Sequence, residues 1–130
     1  MATWNDVANY LRGKYKIAED GGTILRLNFE LSGGRSQQVL VGRSTMDAIN
    51  DEFAQIASTF ARVDSVDLSA VLREAGEYVV GGVVAYGDML AVRHTVPLAN
   101  LDLNEFEGPF ELVLQTADAL EQMFTGADRH

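Results

Sequence analysis

The stretch from Glu77 to Leu98, EYVVGGVVAYGDMLAVRHTVPL, restricts the possible folds of this chain more than any other. Two long apolar runs flank Tyr86-Gly87-Asp88, a turn signal between strand-like segments. Tyr78, Val80, Val84 and Tyr86 share one face of the first run; Leu90, Val92, Val96 and Leu98 share one face of the second. The stretch reads as a β-hairpin at the centre of a sheet. Gly81-Gly82 inside its first strand signals a bulge or a close backbone approach, and Pro97 marks a strand end or an edge.

Ahead of the hairpin, Trp4, Val7, Ala8, Leu11 and Tyr15 follow helical spacing. A helix over Thr3 to Gly13 is expected, with Thr3 and Asp6 as a capping box and Gly13 as its stop. Trp4, the single tryptophan, reads as the anchor of this helix on the sheet. A short strand is expected within Tyr15 to Asp20. From Thr23 to Leu31 the alternation is clean, with Leu25, Leu27, Phe29 and Leu31 on one side and Arg26, Asn28 and Glu30 on the other. Ser32-Gly33-Gly34 turns the chain, and Arg35 to Arg43 returns as a strand.

The segment from Met46 to Val63 reads two ways. Met46, Ile49, Phe53, Ile56, Ala57, Phe60 and Val63 make a helical stripe, and periodicity alone favours a helix. The other reading is a strand from Glu52 to Val63. Asp67 to Ala75 is a short helix with Asp67 as N-cap, Leu68, Val71, Leu72 and Ala75 as its apolar stripe, and Gly76 as its stop. The long C-terminal helix spans Asn104 to Phe124, with Asn104 and Glu107 as a capping pair. Its face runs through Phe106, Phe110, Val113, Leu114, Ala117, Leu120 and Phe124. Pro109 removes an amide donor, so a kink or a separate first turn is expected there.

The 130 residues suit one domain, and no apolar run is long enough to span a membrane. The N-terminus lacks the basic and apolar regions of a signal peptide. With no cysteine, disulfides and thiolate sites are excluded, which fits a cytoplasmic protein. Nineteen acidic residues against ten basic ones give a formal charge of −9; the basic residues are scattered, so neither nucleic acid nor an anionic membrane is an expected partner.

No motif for catalysis stands out. The glycine pairs fit no phosphate-binding pattern, and the serines lack a nucleophile-elbow context. His94 lies on the apolar side of its strand without the companions that a metal site needs. Asp118 and Glu121, one turn apart on the last helix, read as a solvated face. No enzyme activity, cofactor or metal is expected.

Four stretches, taken in order, resemble the type III secretion chaperone (CesT-type) fold and, within it, the YbjN-like group. They are DGGTILRLNFEL with GGRSQQVLV, IASTFARVDSVDLSAVLREAG, GGVVAYGDMLAVRHTVPL, and LDLNEFEGPFELVLQTADALEQMF. The resemblance implies an α+β fold, an antiparallel sheet with helices packed on it in the order α-β-β-β-β-α-β-β-α. It also decides the ambiguous segment as a strand, about Glu52 to Val63, with Ala48 to Asp51 in the preceding loop. For function it implies a non-enzymatic, chaperone-like or regulatory protein that acts as a homodimer and holds a protein partner. Leu68, Val71, Val79 and Val83 are the candidate dimer or partner surface, Val79 and Val83 because they oppose the Tyr78/Val84 face of the hairpin. The alternative is a small-molecule-sensing domain, with Tyr78, Tyr86, Arg93 and His94 lining a pocket at one end of the hairpin.

Overall fold

A computed structural model describes residues 2–48, 51–78 and 81–125. The chain is α+β. Helix α1 (Trp4–Lys14) is followed by β1 (Glu19–Asp20), β2 (Ile24–Glu30), β3 (Ser36–Met46), β4 (Asp51–Arg62), α2 (Leu68–Ala75), β5 (Gly82–Tyr86), β6 (Met89–Pro97) and α3 (Leu103–Thr125). The strands form one antiparallel sheet in the order β1-β2-β3-β4-β6-β5.

Local signals set most element ends. Thr3 accepts from the Asp6 amide, while the Asp6 side chain accepts from the Thr3 amide, closing the capping box. The helix runs one residue past Gly13, so Gly13 is not its stop; Tyr15 caps it in an extended conformation. Asp67 caps α2 by accepting from the Ala70 amide, and Gly76 ends it. Gly87 takes φ +57° in the two-residue turn that pairs Tyr86 with Met89, a conformation that glycine adopts without a Cβ penalty.

The predicted hairpin is present but does not lie at the centre of the sheet: β5 is an edge strand, and β3 and β4 are the middle ones, flanked on both sides. Its first strand starts at Gly82, and Tyr78 belongs to the turn that leaves α2. A Cβ on Gly81 would lie 3.0 Å from Val92 Cγ1, which is the close approach that the glycine pair signalled. Pro97 ends β6. The strand expected within Tyr15 to Asp20 is only the two-residue β1. The ambiguous segment is the twelve-residue strand β4, pairing with β3 on one side and β6 on the other; Asp51 opens it and does not lie in a loop.

Alternation along the paired strands divides the sheet into two faces. One carries Leu25, Leu27, Val39, Val41, Ala54, Ile56, Phe60, Val92 and Val96, all buried beneath α1 and α3. At one corner Tyr15 stacks on Phe110 at 5.4 Å, and Phe29 meets both rings edge-on. Trp4 anchors α1 as expected: its ring is buried and Nε1–H donates to the Gly22 carbonyl at 2.8 Å. Helix α2 lies on the same side of the sheet, with Val71 in the core and Ala75 beside Val83, Val92 and Leu120.

Helix α3 starts at Leu103 and continues through Pro109, so no separate first turn exists. Its expected capping pair does not form. Asn104 lies inside the helix, Glu105 accepts from the Asp102 amide, and Glu107 turns toward α1. Nor are Asp118 and Glu121 a solvated face. Glu121 is fully buried and accepts from Gln37 Nε2 at 2.8 Å, and Asp118 takes both ends of the Arg35 guanidinium at 3.1 Å. Ser58 completes the chain by donating to Gln37 Oε1 or to the Gln38 carbonyl. These contacts lock the middle of α3 onto β3 and β4 with the carboxylates satisfied, as burial requires.

Candidate functional site

Among the described residues no helix packs on the other face of the sheet. Antiparallel sheets with one covered face normally turn polar side chains to water. Here register places Ile24, Leu40, Ala57, Ala91, Met89, Val84 and Tyr86 on the open side. Across β3, β4 and β6 the residues nearest the sheet are small: Gly42, Ala57, Thr59 and Ala91. Larger side chains rise on either side of them, Ile24 and Leu40 toward β2 and Tyr86 and Met89 at the turn of the hairpin. The result is a shallow trough of about 360 Å³, whose remaining lining residue is Gln55. Ile24 and Tyr86 are exposed, whereas Ala57 and Ala91 are covered by their neighbours' side chains.

Polar groups border the trough in a row fixed by register. Arg26 pairs with Leu40, Leu40 with Ala57, and Ala57 with Arg93. Arg26 is held by Glu19 at 3.2 Å. Arg93 lies over the Tyr86 ring, 5.9 Å from its centroid, a cation–π arrangement that fixes the guanidinium beside the apolar wall. The lining can bind by apolar contact and by a few oriented donors.

A second polar cluster ties α1 to α3. Glu107 accepts from Tyr10 Oη at 2.7 Å and from Tyr15 Oη at 3.1 Å, and Lys14 Nζ stands 3.0 Å away. Burial pushes the Glu107 carboxyl up, but the three donors outweigh it and hold the group below its ordinary range. Tyr15 is pushed up to about 12, first by burial and then by the negative charge of Glu107. Tyr10 is raised as well, chiefly because its hydroxyl donates to Glu107. Glu52 is held low by Arg43 and by the Trp4 amide, which fixes the start of α1 to β4. These contacts are architectural: each carboxylate is engaged by the elements it joins. Among the described residues no group of three or more histidine, aspartate or glutamate side chains could hold a metal ion, and no helix is long and apolar enough to cross a membrane.

The residues singled out from sequence fall in different places. Leu68 is exposed on α2, as a contact surface requires. Val71, one turn on, is fully buried in the core and offers nothing to a partner. Val83 is half-buried: it pairs with Val92 on the helix-covered face and packs against the core. Val79 lies outside the described residues. The uncovered side of the hairpin is thus the opposite one, that of Val84 and Tyr86. Of the four residues expected to converge on a pocket, only Tyr86 and Arg93 come together. Tyr78 sits on the helix side near Glu74, and His94 faces the helices opposite Ile56. Leu40, Ala57 and Met89 were not singled out; their only sequence signal is apolar character at positions alternate to the core-facing ones. Neither a scan of protein-family models nor a search of curated proteins gives a match to this chain.

Proposed function

We propose that this chain is a non-enzymatic, cytoplasmic protein-binding module, chaperone-like or regulatory in role, that acts as a homodimer and holds a segment of a partner protein on the open face of its sheet. One observation carries the reading, the apolar trough on the uncovered face, lined from both sides by Ile24, Leu40, Tyr86 and Met89. A solvent-facing apolar concavity that crosses five strands marks an interaction surface. Its walls, Ile24 and Leu40 on β2 and β3 and Tyr86 and Met89 on β5 and β6, leave between them a floor of small side chains for a partner's apolar side chains to enter. The resemblance to secretion chaperones supports both the holding role and the dimer. Leu68 and Leu72, exposed one turn apart on α2, lie on the helix side, where a second copy can meet them without closing the trough.

Two measurements test this. Light scattering should give the mass of a dimer, and the protein should suppress aggregation of reduced insulin at stoichiometric ratios. Leu40→Glu, which places a charge in the trough, should abolish the suppression and leave the dimer intact. A strict monomer with no effect on insulin would remove the proposal. The trough's volume favours a second reading, a small-molecule-sensing domain with its pocket at the turn end of the hairpin, since about 360 Å³ is within the range of small-ligand sites.

A further inference from the structure

We infer that the trough selects a segment that carries a carboxylate beside its apolar side chains, and that Arg93 reads that carboxylate; the inference rests on the protein-binding reading above. Ion pairing across the chain leads to it. Six of the ten basic residues are engaged by carboxylates: Arg12, Lys14, Arg26, Arg35, Arg43 and Arg62. Among the described residues, Lys16, Arg73 and Arg93 have no such partner. Lys16 and Arg73 stand exposed in solvent, but Arg93 is half-buried. In a chain with nineteen acidic residues, a half-buried guanidinium lacks a carboxylate only because the surface around it holds none within reach. Arg93 follows Leu40 and Ala57 in one row across the sheet and lies over the ring of Tyr86, which lines the trough. The cation–π contact draws the planar fork toward the trough's wall, where it can grip a carboxylate through two hydrogen bonds. An occupant that fills the apolar trough brings its neighbouring atoms to that fork. The matching chemistry is an apolar segment with an adjacent aspartate, glutamate or terminal carboxylate.

Panning a displayed library of random peptides on the intact protein tests the inference. Peptides retained by the wild type should pair apolar residues with a nearby acid, and charge reversal by Arg93→Glu should shift the selection to lysine and arginine. For one synthetic peptide from the selection, Arg93→Gln should weaken binding by roughly ten- to a hundred-fold. The same peptide with its acid changed to the amide should bind wild type and Arg93→Gln alike. Selection of the same sequences by wild type and Arg93→Glu overturns the role of Arg93 and leaves the protein-binding reading standing. Peptides whose binding survives Leu40→Glu show that the open face is not the docking face, and both ideas fall. If no peptide is enriched while dodecanoate binds and dodecylamine does not, the occupant is a free apolar acid and the peptide assignment is wrong. Matching thermal melts of the variants exclude unfolding as the cause.

Discussion

Glu107 is the group whose removal should be felt furthest from its own position. Its carboxylate joins α1 to α3 through two tyrosine hydroxyls, and its side chain is 22% exposed. A hydrogen bond to a charged group is worth about 1.5–3 kcal/mol when buried; partial exposure brings each of these below that range, to about 1 kcal/mol. The Lys14 ammonium stands in solvent, where screening cancels most of its pairing. Glu107→Ala should therefore cost about 2 kcal/mol, or about 8 °C in a domain of this size. Glu107→Gln keeps an acceptor for one hydroxyl and should cost about half as much.

The pH dependence separates charge from shape. A carboxyl whose folded pKa is depressed contributes stability above its ordinary value, and that stability is lost as pH falls through the lower folded value. Glu107 is such a group. Tyr15 has the opposite sign: its folded value, about 12 against an ordinary 10.0, gives stability that is present below pH 10 and lost as pH rises toward 12. Urea unfolding across the pH range should show the gap between wild type and Glu107→Gln closing in acid, below about pH 4. Tyrosinate absorbance should show Tyr15 titrating lower in the variant but still above 10, since burial, its larger cause, is unchanged. Parallel loss of stability in both proteins between about pH 5 and 3, or an unchanged Tyr15 titration, would refute the argument.

Two further substitutions check the packing. On α2, Val71→Asp should unfold the domain or cost more than about 4 kcal/mol, because it buries an unpaired charge, whereas Arg73→Ala, at an exposed position of the same helix, should change chemical stability by less than about 0.5 kcal/mol; equal effects would contradict the placement of the helix. Gly81→Ala should cost about 1–3 kcal/mol, since Gly81 has φ +85° and its Cβ would press on Val92; a neutral result in urea titration would show that the strand start relaxes without loss.

The sequence signals that proved readable are those whose cause lies within a few residues. Thr3 with Asp6, Asp67 ahead of a helical stripe, and the alternation of Leu25, Leu27 and Phe29 each specify geometry without reference to the rest of the chain. Strand β4 shows the opposite case. Ile56, Ala57, Phe60 and Ala61 are all buried, and pairs spaced four apart are a helical signature. They arise in a strand for two unrelated reasons. Ala57 is covered on the open face by its neighbours across the sheet, and a bulge between Thr59 and Ala61 turns Phe60 and Ala61 inward in succession. Both causes are long-range pairings that no local window contains. Glu121 was readable in principle, since it follows Ala117 by four residues and so falls on the buried stripe of α3; its polarity hid it, and a partner on a distant strand, Gln37, helps a carboxylate to stand there.

The hairpin shows why local pattern does not say which of its sides stays open. Alternation separates Val83 from Val84, but both sides of the hairpin are apolar, so nothing local says which one the helices cover. That choice is made by the core: Val92 and Val96 continue the surface of Ile56 and Ala54, on which α3 packs, and Val83 follows Val92 inward. Val84 and Tyr86 are then left outside. The same register that buries one set of side chains assembles the other, drawing Ile24, Leu40, Ala57 and Met89 from four strands into one trough. A one-residue slip in any of these pairings would exchange the two sets and put Arg26 or Arg93 beneath the helices. The cost of burying an unpaired guanidinium therefore guards the register, and the two arginines bordering the trough help to specify the sheet that forms it.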